Sequence, residues 1–225
     1  MKLNKRGYVD TKFVKYLTIE EFKAMDRDID QNVKSNSMRM LLKFLGKTGL
    51  RVGEGIRLQR SNFSRDFSIL TYEMEKSDGE IKSRKMPRDL QEEFKDYYNR
   101  NNKRMLKEKE DDNESRYMFY ASYRNQSGNP HLQRSTVELK LNQITKRTGL
   151  DHVYYVARDG KKFHRITPHT FRHFALWRFY EAGQKDIVKA QQIIGHKDPK
   201  TTFRYINALA SANDEQEIIE KAYAF

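Results

Sequence analysis

The 225-residue chain has no cysteine. That excludes a disulfide framework, a zinc-thiolate site and a thiol nucleophile. Long apolar runs are missing as well. The opening MKLNKRGYVDTKF has no hydrophobic stretch and is not a signal peptide, and no run approaches the length of a membrane span. Internal repeats and low-complexity blocks are also lacking. Hydrophobic residues are only 37% of the chain, yet thirteen Tyr and thirteen Phe supply large apolar surfaces for a core. The length suits one full domain, or one domain with a small appendage, and argues against a disordered chain. These features point to a soluble, intracellular protein.

Acidic residues are in deficit. Lys and Arg number 44 against 31 Asp and Glu, a formal net charge of +13. The last twenty residues hold Asp214, Glu215, Glu217 and Glu220 against Lys221 alone, a net of −3, so the first 205 carry +16. A basic body with an acidic tail suggests a polyanion partner, nucleic acid first, with the tail docked elsewhere. A merely solvated basic surface is the plainer alternative.

Patterning gives a mainly α domain with a small antiparallel β-hairpin (α+β). Thr18 followed by Glu21 is a capping-box signal for a helix toward Asp28. Met38 to Lys47 carries Met38, Leu41, Leu42 and Leu45 at helical spacing, with Gly49 as a left-handed cap. A short helix follows over Val52 to Leu58. Phe67 to Met74 alternates as a strand, Asp78-Gly79 marks a turn, and Ile81 to Met86 returns until Pro87. Helices are expected over Leu90 to Arg104 and Val137 to Arg147. Lys107 to Arg116 reads as an exposed helix end plus loop, and Ser127 to Pro130 as a turn. A second, smaller hairpin fits Val153 to Ile166. Thr167-Pro168 opens a helix that stops at Gly183. Ile187 to Ile194 forms the next, ended by Gly195. Another starts at Asp198 and carries Tyr205, and the tail from Asp214 is helical by pattern.

Three segments carry chemistry: Thr48-Gly-Leu-Arg-Val-Gly-Glu54, His169-Thr-Phe-Arg-His173, and Gly195-His-Lys-Asp-Pro-Lys-Thr-Thr-Phe-Arg-Tyr205. Arg51 at a helix start is either a solvated arginine or part of an anion clamp. His169 and Arg172 share a helix face, as a surface pair or as a phosphate site. His196 alone reads as a helix C-terminal histidine, and Tyr205 is one of thirteen tyrosines.

Taken together these segments resemble the tyrosine recombinase (phage integrase) family. The shared pattern is Gly-Leu-Arg, a Lys in a hairpin turn, His-x-x-Arg, and Gly-His with a Tyr nine residues on. Thr201-Thr202, the Arg172-His173 pair and the Tyr16-Leu-Thr-x-Glu-Glu21 opening also fit. The resemblance implies the catalytic-domain fold over residues 16–210, a basic arm at 1–15, and a C-terminal helix at 211–225 exchanged between protomers through Ile218, Ile219 and Tyr223. Packing of that helix on its own core is equally open. It further implies site-specific cleavage and rejoining of duplex DNA through a 3′-phosphotyrosine on Tyr205. Arg51 and Arg172 would grip phosphate oxygens. His169 would serve as acid/base, His196 as a phosphoryl hydrogen-bond partner, and Lys76, with Lys82 as the fallback, as general acid. No cofactor or metal is implied.

The implied partners are duplex DNA, a dimer per site and a tetramer per synapse, and an accessory directionality factor. The implied location is cytoplasmic and nucleoid-associated, or that of a virus- or plasmid-encoded intracellular protein. Type IB topoisomerases, telomere resolvases and non-catalytic DNA-binding relatives are the alternatives. Two departures stand out. About fifteen residues precede the domain where the family carries a DNA-grasping domain, so a lone catalytic domain should grip DNA less fully. Leu90 to Arg134 is also longer and more charged than the family pattern.

Overall fold

A computed structural model describes residues 17–75, 79–107, 117–121, 131–156, 159–160, 162–196, 199–200, 202–203 and 206. The arm at 1–15, most of the charged stretch after residue 107, the turn at 127–130 and the tail at 211–225 lie outside these. Among the described residues there are seven α-helices and two separate antiparallel hairpins. No described helix is long and apolar enough to cross a membrane.

The first helix, α1, spans Ile19–Asn32. Its capping box forms as expected: the Glu21 N–H donates to Thr18 Oγ1 at 3.1 Å, and the Thr18 N–H to Glu21 Oε2 at 2.9 Å. The helix runs a turn past Asp28 because that carboxylate is held on both sides. Asn32 Nδ2 donates to it at 2.7 Å from one turn ahead, and Arg147 donates from a distant helix. Helix α2, Asn36–Thr48, starts at a Ser35 cap. It ends at Gly49, whose φ of 67° allows its N–H to reach Leu45 O at 2.8 Å.

Helix α3 spans Val52–Ile56 and stops two residues short of the expected Leu58. Leu58 instead accepts the Met118 N–H at 2.8 Å, and Gln59 bridges to Tyr117, so the chain there is pulled into an extended path. Strand β1, Ile69–Glu73, starts two residues late. Phe67 adopts φ 61° in a tight turn, its N–H on Ser64 O, and cannot begin a strand. Its buried ring is held by Phe63, Phe94 and Tyr98, with Arg60 4.5 Å above it. Strand β2, Ile81–Lys85, pairs with β1 in the register Ile69↔Lys85 to Glu73↔Ile81.

Helix α4, Arg88–Lys107, is followed by α5, Arg134–Arg147. Strands β3, Val153–Val156, and β4, Lys162–His164, form the second hairpin where it was expected. Helix α6 spans Pro168–Ala182 and α7 Ile187–Ile194. Residues 199–200, 202–203 and 206 are helical, where the next helix was expected.

Aromatic packing fixes the layers. Phe44 of α2 sits against Phe63, Phe94 and Phe119, a knot that joins α2, α4 and the 117–120 segment. Phe22 of α1 stacks on Phe174 of α6 at 4.4 Å between centroids. Helix α1 also closes on α2 at Gly46, where a Cβ would lie 2.4 Å from the Phe22 ring. Helix α1 is also tied at both ends, by Arg165 on Glu21 and by Arg147 on Asp28. These contacts bring the ends of α2, α6 and α7 and the first hairpin to one place.

Candidate active site

Arg172 lies in the second turn of α6, and the start of α6 sets its position. Thr167 is the capping residue and Pro168 occupies the first turn, as the sequence suggests. The hydrogen bond runs in the opposite sense, however: the Thr167 N–H donates to Thr170 Oγ1 at 3.0 Å, and that hydroxyl donates to Arg165 O at 2.9 Å. One and a half turns on, the Arg172 side chain is 4% exposed. Its Nη1 donates to Gly49 O at 2.8 Å and its Nη2 to Ile194 O at 2.7 Å. These carbonyls close α2 and α7. A helix leaves its last carbonyls without internal partners, and its C-terminal end favours a cation. Arg172 therefore satisfies two helix ends at once. Gly49 permits the approach, since a Cβ there would lie 2.8 Å from Ala175 Cβ and 2.5 Å from Ile194 Cδ1. Burial, with the neighbouring Arg51 charge, pushes the Arg172 pKa down to about 10, and it stays a cation at neutral pH.

Arg51 caps α3 and is partly buried. It is not a solvated surface arginine. Its Nη1 donates to Glu54 Oε1 at 2.7 Å and reaches Glu75 O at 3.4 Å, while its N–H donates to Glu54 Oε2 at 2.7 Å. Glu54, 1% exposed at its side chain, also accepts the Glu75 N–H at 3.1 Å and sits 3.9 Å from Arg172 Nη1. One carboxylate thus joins the start of α3, the end of β1 and both guanidiniums. The sequence reading did not pick out Glu54 as a site residue. The available signal was its place three residues after the helix-starting Arg51, the capping-box spacing that Thr18 and Glu21 also show.

His196 follows Gly195, which ends α7 at φ 76°. Its Nδ1 lies 2.9 Å from Thr202 Oγ1. Burial first, then the charges of Arg172 and Arg51, hold its pKa down at about 3, so the imidazole is neutral at pH 7. Lys82, on β2, donates to Gln192 O. Its ammonium would lie 3.3 Å from a Cβ on Gly195, so the glycine makes room for it. Burial, with Arg84 and Arg172 adding to it, lowers the Lys82 pKa. His169 is exposed in the first turn of α6, one turn before Arg172. Arg51, Arg172 and His196 thus converge from three elements. Lys76 and Tyr205 lie outside the described residues.

A cluster of two guanidiniums and a neutral imidazole, beside one buried carboxylate, suits a tetrahedral anion with several oxygens. The sequence profile of the phage integrase family matches residues 15–211. The chain belongs to this family. Its fold is that of the tyrosine recombinase catalytic domains among solved structures. XerA recombinase matches with a TM-score of 0.63 at 22% identity, over 92% of this chain and 66% of that one. XerH, a site-specific recombinase bound to its difH substrate, matches with a TM-score of 0.61 at 18% identity, over 90% and 55%. A lambda integrase dimer bound to a core site matches with a TM-score of 0.59 at 18% identity, over 90% and 50%. The chain therefore spans half to two thirds of the length of these recombinases. No curated protein sequence matches it significantly.

Proposed function

We propose that this integrase-family chain is a site-specific DNA recombinase that cleaves and rejoins duplex DNA through a 3′-phosphotyrosine. The observation that carries the reading is the convergence of Arg51 and Arg172 on Glu54, with the His196 imidazole close enough to feel both guanidinium charges. In this reading Tyr205 Oη attacks the scissile phosphorus and the bond to the 5′-oxygen breaks. His169 takes the tyrosine proton, and Lys76 gives a proton to the departing 5′-oxygen. Lys82 engages the Gln192 carbonyl, which favours Lys76 as the acid. Arg51 and Arg172 hold the non-bridging oxygens, and neutral His196 donates one hydrogen bond. Rejoining reverses these steps: a 5′-hydroxyl attacks the phosphotyrosine, so bond energy is kept without a nucleotide.

A tyrosine with its usual pKa near 10 is a poor nucleophile, and the cationic site favours its ionised form. The proposed partner is duplex DNA, bound by two protomers per site and four per synapse, with an accessory factor setting direction. The proposed setting is intracellular. Residues 16–210 would be the catalytic domain, 1–15 a basic arm and 211–225 a helix linking protomers.

Covalent trapping tests this. The protein is incubated with nicked duplex DNA carrying candidate sites and denatured in detergent, and the DNA-linked peptide is identified by mass spectrometry. The expected adduct is on Tyr205, and Tyr205→Phe should bind DNA without forming it. Undiminished adduct in Tyr205→Phe would sink the assignment. Supercoil relaxation without strand exchange would replace it with a topoisomerase reading.

A further inference from the structure

The end of α7 is met by three cations. A helix leaves its last four carbonyls without internal partners. Here Gln192 O accepts from Lys82 Nζ, Ile193 O from Arg84 Nη1 at 3.4 Å, and Ile194 O from Arg172 Nη2 at 2.7 Å. Arg172 is part of the site already described. Lys82, already placed beside Gly195, and Arg84, not yet described there, lie on the hairpin two residues apart on β2, and so point to the same face of the strand. Arg84 passes 5.4 Å from the buried Tyr72 ring, and its buried Nη2 has no hydrogen-bond partner among the described residues. Burying a guanidinium is costly unless it is partnered, and here the Ile193 carbonyl and the Tyr72 ring face are the partners that fix it. Gly195 lets the strand close in, since a Cβ there would meet Met74 Cε at 3.2 Å and Lys82 Nζ at 3.3 Å.

Directly past these carbonyls the chain turns through Gly195 into His196. The Gly195 and His196 N–H groups both donate to Gln191 O, at 2.9 and 3.3 Å, and Gln191 Nε2 returns to His196 O at 3.0 Å. The last turn of α7 therefore sets the imidazole, and β2 holds the last turn. In the sequence, Lys76 falls between β1 and β2. We propose that Lys82 and Arg84 are positioning residues of the cleavage reaction, which act by clamping the end of α7, and with it His196, to the hairpin. This rests on the recombinase reading. The consequence is that hairpin and histidine move as one body, so the proton donor and the phosphate ligand reach the scissile phosphate together. Misplacement of a catalytic group by about 1 Å can cost about a hundredfold in rate, so a clamp of this kind has kinetic weight.

The test uses Arg84→Met, which keeps the bulk against Tyr72 and removes the donors, with Lys82→Met and Arg84→Lys beside it. Three quantities are read: the His196 titration by NMR, hydrogen exchange at the Gly195 and His196 amides, and single-turnover cleavage of nicked DNA at saturating protein. Burial and the charges of Arg172, Arg51, His173 and Lys82 chiefly set the His196 titration and Arg84 is not one of them, so a large change in that titration reports movement. In Arg84→Met the His196 midpoint should rise from about 3 toward the ordinary 6.5. The two amides should exchange about tenfold faster and cleavage should slow about tenfold or more, as a lesser displacement than the one above requires. Arg84→Lys should recover part of each change. If Arg84→Met does not fold, exchange and cleavage in Lys82→Met decide instead. Unchanged titration and exchange overturn the proposal, and so does a loosened α7 with undiminished cleavage. If wild-type protein forms no adduct, the recombinase reading falls, while titration and exchange still decide whether β2 holds His196.

Discussion

Replacing Glu54 with Gln changes one atom of the site, and its effect follows from the hydrogen bonds. Both carboxylate oxygens face donors only. Oε2 accepts the Arg51 N–H at 2.7 Å with Arg172 beyond it at 3.9 Å, and Oε1 accepts Arg51 Nη1 at 2.7 Å and the Glu75 N–H at 3.1 Å. An amide NH2 in either place opposes a donor. The less harmful placement, on the Oε2 side, still loses one bond and weakens the other two, which had a charged acceptor. Bonds to charged groups are worth about 1.5–3 kcal/mol each, and breaking a buried ion pair costs about 3–5 kcal/mol. An amide that keeps two contacts should therefore cost about 2–4 kcal/mol. In a chain of this size each kcal/mol moves Tm by about 2–4 °C, so the fall should be about 4–16 °C. Cleavage should drop about a hundredfold or more, as when one aligned donor to a developing anion is lost. DNA affinity should hold or rise, because a negative charge has gone. Thermal melting, fluorescence anisotropy and single-turnover adduct formation read the three. A variant with unchanged Tm and wild-type cleavage would refute the claim that Glu54 organises the two arginines.

Gly49→Ala should destabilise strongly, because its Cβ would lie 2.8 Å from the fixed Ala175 Cβ at a φ of 67°; melting of the variant within a degree of wild type would contradict the packing. His196 should stay neutral in NMR titration down to about pH 3–4; since the unfolded chain takes up that proton near pH 6.5, the histidine makes the fold lose stability as pH drops below 6.5. Asp28 works in a lower window. Arg147 holds its pKa below the usual 3.8, so its contribution is present above that value and is lost as pH falls through the folded value; Arg147→Gln should flatten stability measured across that range. DNA affinity should fall with salt at a logarithmic slope of about −0.9 per phosphate contacted, and a flat dependence would count against any DNA role.

Local signals were legible because they depend on spacing within one turn or one hairpin. The Thr18–Glu21 box, the left-handed cap at Gly49, the helix stop at Gly195 and both hairpins stand where the sequence puts them. What sequence reading missed depends on distant partners. Asp28 extends α1 because Arg147, 119 residues away, holds it. Leu58 leaves α3 because Met118 takes its carbonyl. Phe67 enters a turn at positive φ because its ring is fixed in the aromatic knot. The site divides in the same way. Arg51, Arg172 and His196 carry recognisable motifs, whereas Glu54 looks like an ordinary third-position acid until Arg172, from a helix over a hundred residues on, is seen beside it.

The way these cations are held bears on what they can do. A guanidinium fixed by a carboxylate has its charge cancelled where it sits. At about 4 Å and an effective dielectric near 20, one such charge pair is worth about 4 kcal/mol, which an incoming phosphate would have to match. Arg172 is fixed mainly by the carbonyls of Gly49 and Ile194, and Lys82 and Arg84 by those of Gln192 and Ile193. Carbonyl dipoles orient a cation and satisfy its donors without removing its charge. Among the described residues Glu54 is the carboxylate that the two motif arginines share, and against these residues one positive charge between them stays uncompensated. That remainder favours an anion at the site, and in the proposed reaction it favours both the phosphate and the tyrosinate that attacks it. A site with a carboxylate for each arginine would fold as well and bind phosphate poorly. Ending α2 and α7 on left-handed glycines, with their carbonyls turned toward the cations, is the structural means by which this chain avoids that outcome.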